Sequence, residues 1–183
     1  MKFLPLPLKE AFVIEPDVYE DERGWFFRFY CEEEFRQIGH VKNWKQLNHS
    51  FTKKKGTIRG MHYQIPPHAE IKLVKCTAGT VFDVIIDLRK ESPCFLQWTG
   101  VELSAENRKM VYIPEGFAHG FQTLTDNCEL IYHHSAVYKK DAEAGIRWDD
   151  PAINIHWPLA PVQISERDQR HALVTPKFSG INP

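Results

Sequence analysis

"IKLVKCTAGTVFDVIIDLRK", residues 71–90, decides how the rest of the chain is read: two apolar, β-branched runs flank Thr77-Ala78-Gly79. Runs of this length and composition are strands, and a short Gly-containing break between them is a hairpin signal. The same texture continues outward. "FLQWTGVELS", "KMVYIPEG", "GFQTLT" and "CELIYHHSAVY" follow, separated by the turn chemistry of "SAEN", "PEG" and "TDN". Several short strands at this spacing in 183 residues predict an all-β sandwich or barrel with antiparallel strands. The length suits one domain, 1–183, with a real core. One helix is expected in "CEEEFRQIG" from Cys31, with Phe35 and Ile38 at helical spacing and Gly39 as its stop. Beyond Tyr138 the chain turns loop-like, with room for short helices or a lid.

Composition removes several functions. A formal net charge of -1 advertises neither nucleic acid nor a membrane surface, so an anionic ligand must be met by local Arg and Lys. No run approaches the roughly 18 apolar residues of a membrane span. "MKFLPLPLKE" is broken by Pro5 and Pro7 and lacks a signal-peptide apolar region, so a cytoplasmic protein is expected. Cys31, Cys76, Cys94 and Cys128 are scattered without CxxC or zinc spacing, and read as small apolar fillers in a reducing compartment.

Chemistry concentrates in "GTIRGMHYQIPPHAEIKLVKC", residues 56–76, where Arg59, His62, His68, Glu70 and Lys72 interrupt strand sequence. Such alternation fits a surface strand or a strand lining a cavity. "IPEGFAHGF" discriminates between them. Pro114, Gly116 and His119 have the P-x-G-x-x-H spacing that resembles the second motif of cupins, small jelly-roll barrels, where the turn aims one imidazole inward. The usual upstream partner is an H-x-H pair with a Glu, which together complete a metal site. Here the pair reads His62-Tyr63-Gln64, with Glu70 further on. An amide is a poor substitute for imidazole on a transition metal, so no metal is expected.

These residues, with "EDERGWFF", "QLNHS", "IRGMHYQ", "KLVKCTAGTVFDVIIDLRKESP", "WTGVELSAEN", "YIPEGFAHGFQTL" and "GIRWDDPAINIHWP", resemble the dTDP-4-dehydrorhamnose 3,5-epimerase family over about residues 10 to 170. The resemblance implies a cupin-type jelly roll with short peripheral helices and no cofactor. It also implies a homodimer in which an N-terminal segment completes the neighbouring site. The activity implied is epimerisation of a nucleotide-linked 4-keto-6-deoxy sugar. Protons alpha to a ketone leave only if a base is in place and the enolate is stabilised. In the family's pattern His62 is that base, Lys72 the cation beside the enolate oxygen, and Tyr132 the proton donor on the opposite face. Asp168, in "ISERD", is the carboxylate that holds the base; a solvated loop position is its plain reading. Arg23, Gln46, Asn48, Arg59 and His119 match positions that hold the diphosphate, sugar and nucleobase, with Glu143 and Arg167 as peripheral contacts. Guanidinium forks suit phosphate oxygens because they donate two parallel bonds. Arg28 stands where thymidine-specific members typically carry an acid, in the arm that reaches the neighbour's nucleotide.

The remaining candidates are weaker. His133 and His134 are strand neighbours, so at most one shares a cavity with Tyr132. His49 and His68 read as structural. Asp83 and Asp87 share a strand face, with Asp83 placed to contact His119 and Asp87 near the strand end. Trp25, Phe26, Phe27 and Phe121 are core by default, with one or two free to stack on a sugar or base. Two rival classes stay open: a metal-dependent cupin enzyme and a non-catalytic sugar-nucleotide binder. An epimerase of the same fold acting on a CDP- or GDP-linked sugar is a third alternative. Inversion at C3, C5 or both depends on where Tyr132 sits.

Overall fold

The computed structural model describes residues 1–183. In chain order the strands are β1 (Lys2–Pro5), β2 (Phe12–Glu15), β3 (Val18–Asp21), β4 (Gly24–Phe27), β5 (Gln46–Thr52), β6 (Thr57–Gln64), β7 (Lys72–Ala78), β8 (Thr80–Asp87), β9 (Trp98–Ser104), β10 (Met110–Ile113), β11 (Phe117–Thr123), β12 (Cys128–His134), β13 (Glu143–Gly145) and β14 (Gln163–Ile164). Two single-turn helices lie at the periphery, α1 (Glu32–Phe35) and α2 (Glu166–Gln169). The expected helix is thus one α-turn that tightens into a 3₁₀ turn over Arg36–Ile38 and ends at Gly39, whose φ of +79° is the left-handed cap. No helix is long and apolar enough to cross a membrane.

Two sheets face each other as a jelly-roll barrel. One runs β1-β2-β10-β7-β12-β5, the other β13-β6-β11-β8-β9, with β14 beside β6 in the one parallel pairing. β3 and β4 form a separate two-stranded ribbon.

The expected hairpin at "TAG" is corrected by this topology. β7 lies between β10 and β12 in the first sheet, whereas β8 lies between β11 and β9 in the second. Gly79 therefore carries the chain from one sheet to the other. Its φ is +72°, and a Cβ there would stand 2.6 Å from Thr125 Oγ1 and 2.7 Å from Cys128 Sγ. Composition around the break signals a turn, but not which strand lies alongside. Both strands are almost continuously buried, as central strands covered on both faces must be.

The inner faces supply the main core. Val74, Cys76, Leu130 and Val111 from one sheet meet Val81, Ile85, Leu103 and Phe117 from the other. The outer faces are covered as well. Ile14, Leu73 and Met110 lie under Phe35 of α1, and Met61, Val84, Ile86 and Ala118 lie under Ile146 and Ile153 from the C-terminal loops. Each fully buried Leu, Ile or Phe contributes roughly 1.5–3 kcal/mol, so this apolar packing holds the two sheets together.

Candidate active site

Strand alternation builds the site. On β12 the inward series is Leu130, Tyr132, His134; on β11 it is Phe117, His119, Phe121; on β7 it is Cys76, Val74, Lys72. The β12 and β7 series pass from apolar core to a polar group at the same end of the barrel, while on β11 His119 stands between two core phenylalanines. That end opens into a cavity of about 410 Å³, lined among others by Asn48, Arg59, His62, Lys72, His119, Tyr132, Glu143 and Arg167.

Arg59 and His62 are three residues apart, so regular alternation would point them to opposite faces. The ladder with β11 shifts between them: His62 pairs with His119, but Arg59 with Phe121. One extra residue on β6 therefore forms a bulge that turns both side chains into the cavity. Gly60 makes this possible. Its φ is +127°, and a Cβ would lie 2.5 Å from Gly120 Cα.

His62 and Asp168 form the tightest pair in the cavity, with Nε2 to Oδ1 at 2.7 Å. Ser165 caps α2 by accepting the Asp168 N–H at 3.1 Å, and the Gly60 N–H donates to Asp168 Oδ2 at 3.2 Å. Asp168 is buried. Burial opposes its charge, but the hydrogen bond and charge of His62, the Gly60 N–H and Arg167 outweigh that and bring the carboxyl down to about 2. An ionised Asp168 assigns the Nε2–H tautomer to His62 and leaves Nδ1 as its basic nitrogen.

Lys72 is buried, and its Nζ donates to the His62 carbonyl at 3.3 Å and lies 3.4 Å from Glu70. Glu70 also accepts from His134 Nδ1 at 2.8 Å. Burial opposes the Glu70 charge, yet His134 and Lys72 together hold its carboxyl below the ordinary value. Tyr132 bonds Ser50 Oγ at 2.9 Å through its hydroxyl, and burial pushes the phenol well above its ordinary range. His119 bonds Asp83 at 2.8 Å, the contact expected from strand spacing; burial lowers its pKa against the pull of that carboxylate. His134 shares the cavity with Tyr132, while His133 faces away and packs on Phe29 and Trp44.

The residues at the cupin metal positions go to separate partners. His62 is held by Asp168, His119 by Asp83, and Glu70 by His134 and Lys72. Gln64, in the place of a second histidine, spends its amide on the chain: Nε2 donates to the His68 carbonyl and Oε1 accepts the Lys139 N–H. The donor set therefore does not fit the metal arrangement of other cupins.

The periphery is mixed. Arg167 reaches Glu143 at 2.9 Å and places Nη2 3.1 Å from His62 Nε2. Arg59 donates to the Phe51 carbonyl. Gln46 lies just outside, bonded to Asn48 at 3.0 Å and to the Tyr138 N–H. Arg23 and Arg28 are elsewhere: Arg23 pairs with Asp21 on the ribbon, and Arg28 with Glu34 at 2.8 Å. Trp25 and Phe26, expected in the core, are exposed on that same ribbon, because β3 and β4 pair only with each other and join neither sheet. His49, expected to be structural, pairs with Glu129 at the cavity rim.

Sequence reasoning passed over Ser50 and His171, and weighed Glu70 and His134 without pairing them. Ser50 touches Tyr132 because Asn48 and Ser50 alternate inward on β5, a pattern visible in "QLNHS". Glu70 and His134 form a pair only once β7 and β12 are known to be neighbours. His171 lies with Nε2 3.7 Å from Asp168 Oδ1 and its ring edge-on to His62. Gly145 leaves room for that ring, since a Cβ there would be 2.4 Å from it. Burial lowers the His171 pKa. Its only signal was the three-residue step from Asp168.

Residues 5–175 match the family model described as dTDP-4-dehydrorhamnose 3,5-epimerase. A protein of that name from Shigella flexneri is 44% identical over 169 residues, covering 92% of this chain and 93% of its own. The crystal structure of one from Elizabethkingia anophelis superposes with a TM-score of 0.93 at 39% identity, covering 97% of this chain and 98% of its own. A dTDP-6-deoxy-D-glucose-3,5-epimerase from Legionella pneumophila, solved in complex with dTDP-4-keto-L-rhamnose, superposes with a TM-score of 0.90 at 38% identity, covering 94% and 92%.

Proposed function

The chain belongs to the dTDP-4-dehydrorhamnose 3,5-epimerase family, and from that premise we propose how its cavity epimerises a dTDP-linked 4-keto-6-deoxy sugar. His62 Nδ1 removes a proton alpha to the ketone, while Asp168 holds the ring and stabilises the imidazolium. Lys72 offsets the charge that develops on the ketone oxygen as the enolate forms. Tyr132 delivers a proton to the other face of the ring. The substrate's own ketone acidifies the protons, so the scheme uses no cofactor.

One observation carries this reading. His62 stands on β6 of one sheet and Tyr132 on β12 of the other, so base and donor face a shared cavity from opposite walls. Inversion requires that arrangement; a one-wall site would return the proton where it came from. Arg59, Asn48 and His119 hold the diphosphate and sugar, with Gln46, Glu143 and Arg167 at the mouth. Arg23 and Arg28 act in the cavity of a second copy in a homodimer. Their ribbon supports this, because it carries exposed Tyr19, Trp25 and Phe26 away from its own cavity. We read 1–183 as one domain working in the cytoplasm, in keeping with four free cysteines.

The test is incubation with a dTDP-4-keto-6-deoxyglucose substrate in heavy water, followed by mass and configuration analysis. Wild type should incorporate deuterium and invert. His62→Ala should do neither while still binding the nucleotide, as expected for a group acting in the transition state. Tyr132→Phe should exchange with retained configuration. Wild type without exchange would sink the reading.

A further inference from the structure

A proton balance exposes a demand that His62, Lys72 and Tyr132 do not meet among themselves. Each inversion breaks one C–H bond and forms another. The leaving proton ends on His62, and the arriving proton is taken from the Tyr132 hydroxyl. The enzyme is then left with an imidazolium on one wall and a phenolate on the other. Before the next inversion, one proton must leave His62 and one must reach Tyr132. The sugar lies between them, so the two cannot exchange directly. The phenolate is also poorly tolerated, because the same burial that pushes the Tyr132 phenol up disfavours its anion.

The hydroxyl of Tyr132 has one hydrogen-bond partner in the protein, Ser50 Oγ at 2.9 Å, and a hydroxyl can donate and accept at once. Ser50 is part-buried on β5, the edge strand of its sheet, between exposed His49 and Phe51. It therefore joins a buried phenol to a strand open to water on its outer side. Asn48, the other inward neighbour, pairs across the strands with Tyr132 but spends its side chain on Gln46 and His134 and makes no hydrogen bond to the phenol. The remaining aromatic neighbours, His119 and His134, are ring contacts with centroids 6.2 and 6.1 Å away, His119 bonding Asp83 through Nε2 and His134 bonding Glu70 through Nδ1, and neither is hydrogen-bonded to the phenol.

Building on the epimerase reading above, we propose that Ser50 is the proton relay that returns Tyr132 from phenolate to phenol after each inversion. The Ser50 O–H bond breaks as the Tyr132 O–H bond forms, and a water proton restores Ser50, leaving hydroxide to neutralise the proton shed by His62. No net charge accumulates. Ser50 acts through Tyr132.

The experiment compares wild type, Ser50→Ala and Ser50→Thr in single-turnover and steady-state epimerisation of the dTDP-4-keto-6-deoxy sugar, in light and heavy water. A positioned proton-transfer group is commonly worth about 10²- to 10⁴-fold, and water can partly replace a hydroxyl, so Ser50→Ala should lose roughly tenfold or more in the steady state. Its first inversion should stay within about threefold of wild type, because Tyr132 starts protonated. The steady-state solvent isotope effect should rise, singly inverted sugar should accumulate if two centres are inverted, and Ser50→Thr should restore turnover. An unchanged steady state in Ser50→Ala overturns the relay. So does a first inversion slowed as much as turnover, since the hydroxyl would then only orient Tyr132. Wild type inert toward this substrate would remove the epimerase reading and the relay together, whereas active wild type with an indifferent Ser50→Ala removes only the relay.

Discussion

At the scale of single residues, the cavity is a set of paired ionisable groups, and the pairing decides which of them can do chemistry. His119 is buried against Asp83 and Lys72 is pinned beside Glu70, while His62 keeps one nitrogen free of any protein partner because Asp168 takes the other. The Asp168 carboxyl, held at about 2, gives this pair a signature in stability. The folded value lies below an unfolded value of about 3.9, so the contribution is complete above roughly pH 4 and is lost as pH falls through about 2. Urea unfolding of wild type and Asp168→Asn should show the largest gap above pH 4, closing between about pH 4 and pH 2. A gap that stays constant over that interval would mean the carboxylate is not held by His62 in the folded protein. That His62, Lys72 and Tyr132 share one cavity was legible through the family motifs in which they stand. Ser50 and His171 were not, since their partners lie 82 residues away on a neighbouring strand and across a helix turn, and composition carries no trace of either contact.

At the scale of elements, the central strands beyond residue 56 were legible, whereas the five strands before it and the strand partners were not. The apolar runs of β7 and β8 announce strands, yet their separation into two sheets at Gly79 follows from burial on both faces, which the local pattern does not encode. The same limit hid the bulge at Gly60. "IRGMHYQ" shows a guanidinium and an imidazole three residues apart, and only the register with β11 explains why both face inward. The bulge should therefore be the most sensitive backbone position in the site. Gly60→Ala would place a residue at φ +127° and drive its Cβ against Gly120 Cα, whereas Gly39→Ala at φ +79° meets nothing within 4 Å. Strain of this kind costs of order 1–3 kcal/mol before any clash is counted. The melting temperature of Gly60→Ala should fall by more than about 4 °C and further than that of Gly39→Ala, at roughly 2–4 °C per kcal/mol for a chain this long. Epimerase activity should drop with Gly60→Ala alone. Equal melting points in the two variants, with full activity, would show that the bulge does not set the Arg59 and His62 directions.

At the scale of the whole molecule, the proposed scheme finds its base and acid in one chain but not all of the arginines it assigns to the anion site. Arg59 faces the cavity, but Arg23 and Arg28 point into salt bridges on and beside a ribbon that joins neither sheet. Tyr19 and Phe26 on that ribbon are each 68% exposed and Trp25 is 55% exposed, far more apolar surface than a two-stranded ribbon keeps in water without a partner. Seating the ribbon on a second copy would bury those rings and bring a guanidinium to the neighbour's diphosphate. The arrangement predicts complementation between two crippled proteins. His62→Ala lacks the base but keeps its arm; Arg23→Ala keeps the base but lacks its arm. A charge-assisted phosphate contact is worth about 1.5–3 kcal/mol, so Arg23→Ala alone should lose roughly ten- to a hundredfold in kcat/KM, mostly through KM. After unfolding and refolding as an equal mixture, half of the dimers should be mixed. Each mixed dimer holds one site with an intact His62 from one chain and an intact Arg23 from the other. Random pairing of a two-fold dimer then returns about a quarter of wild-type activity, well above either variant alone. Activity that only averages the two parents would place Arg23 in its own protomer's site or outside the site altogether.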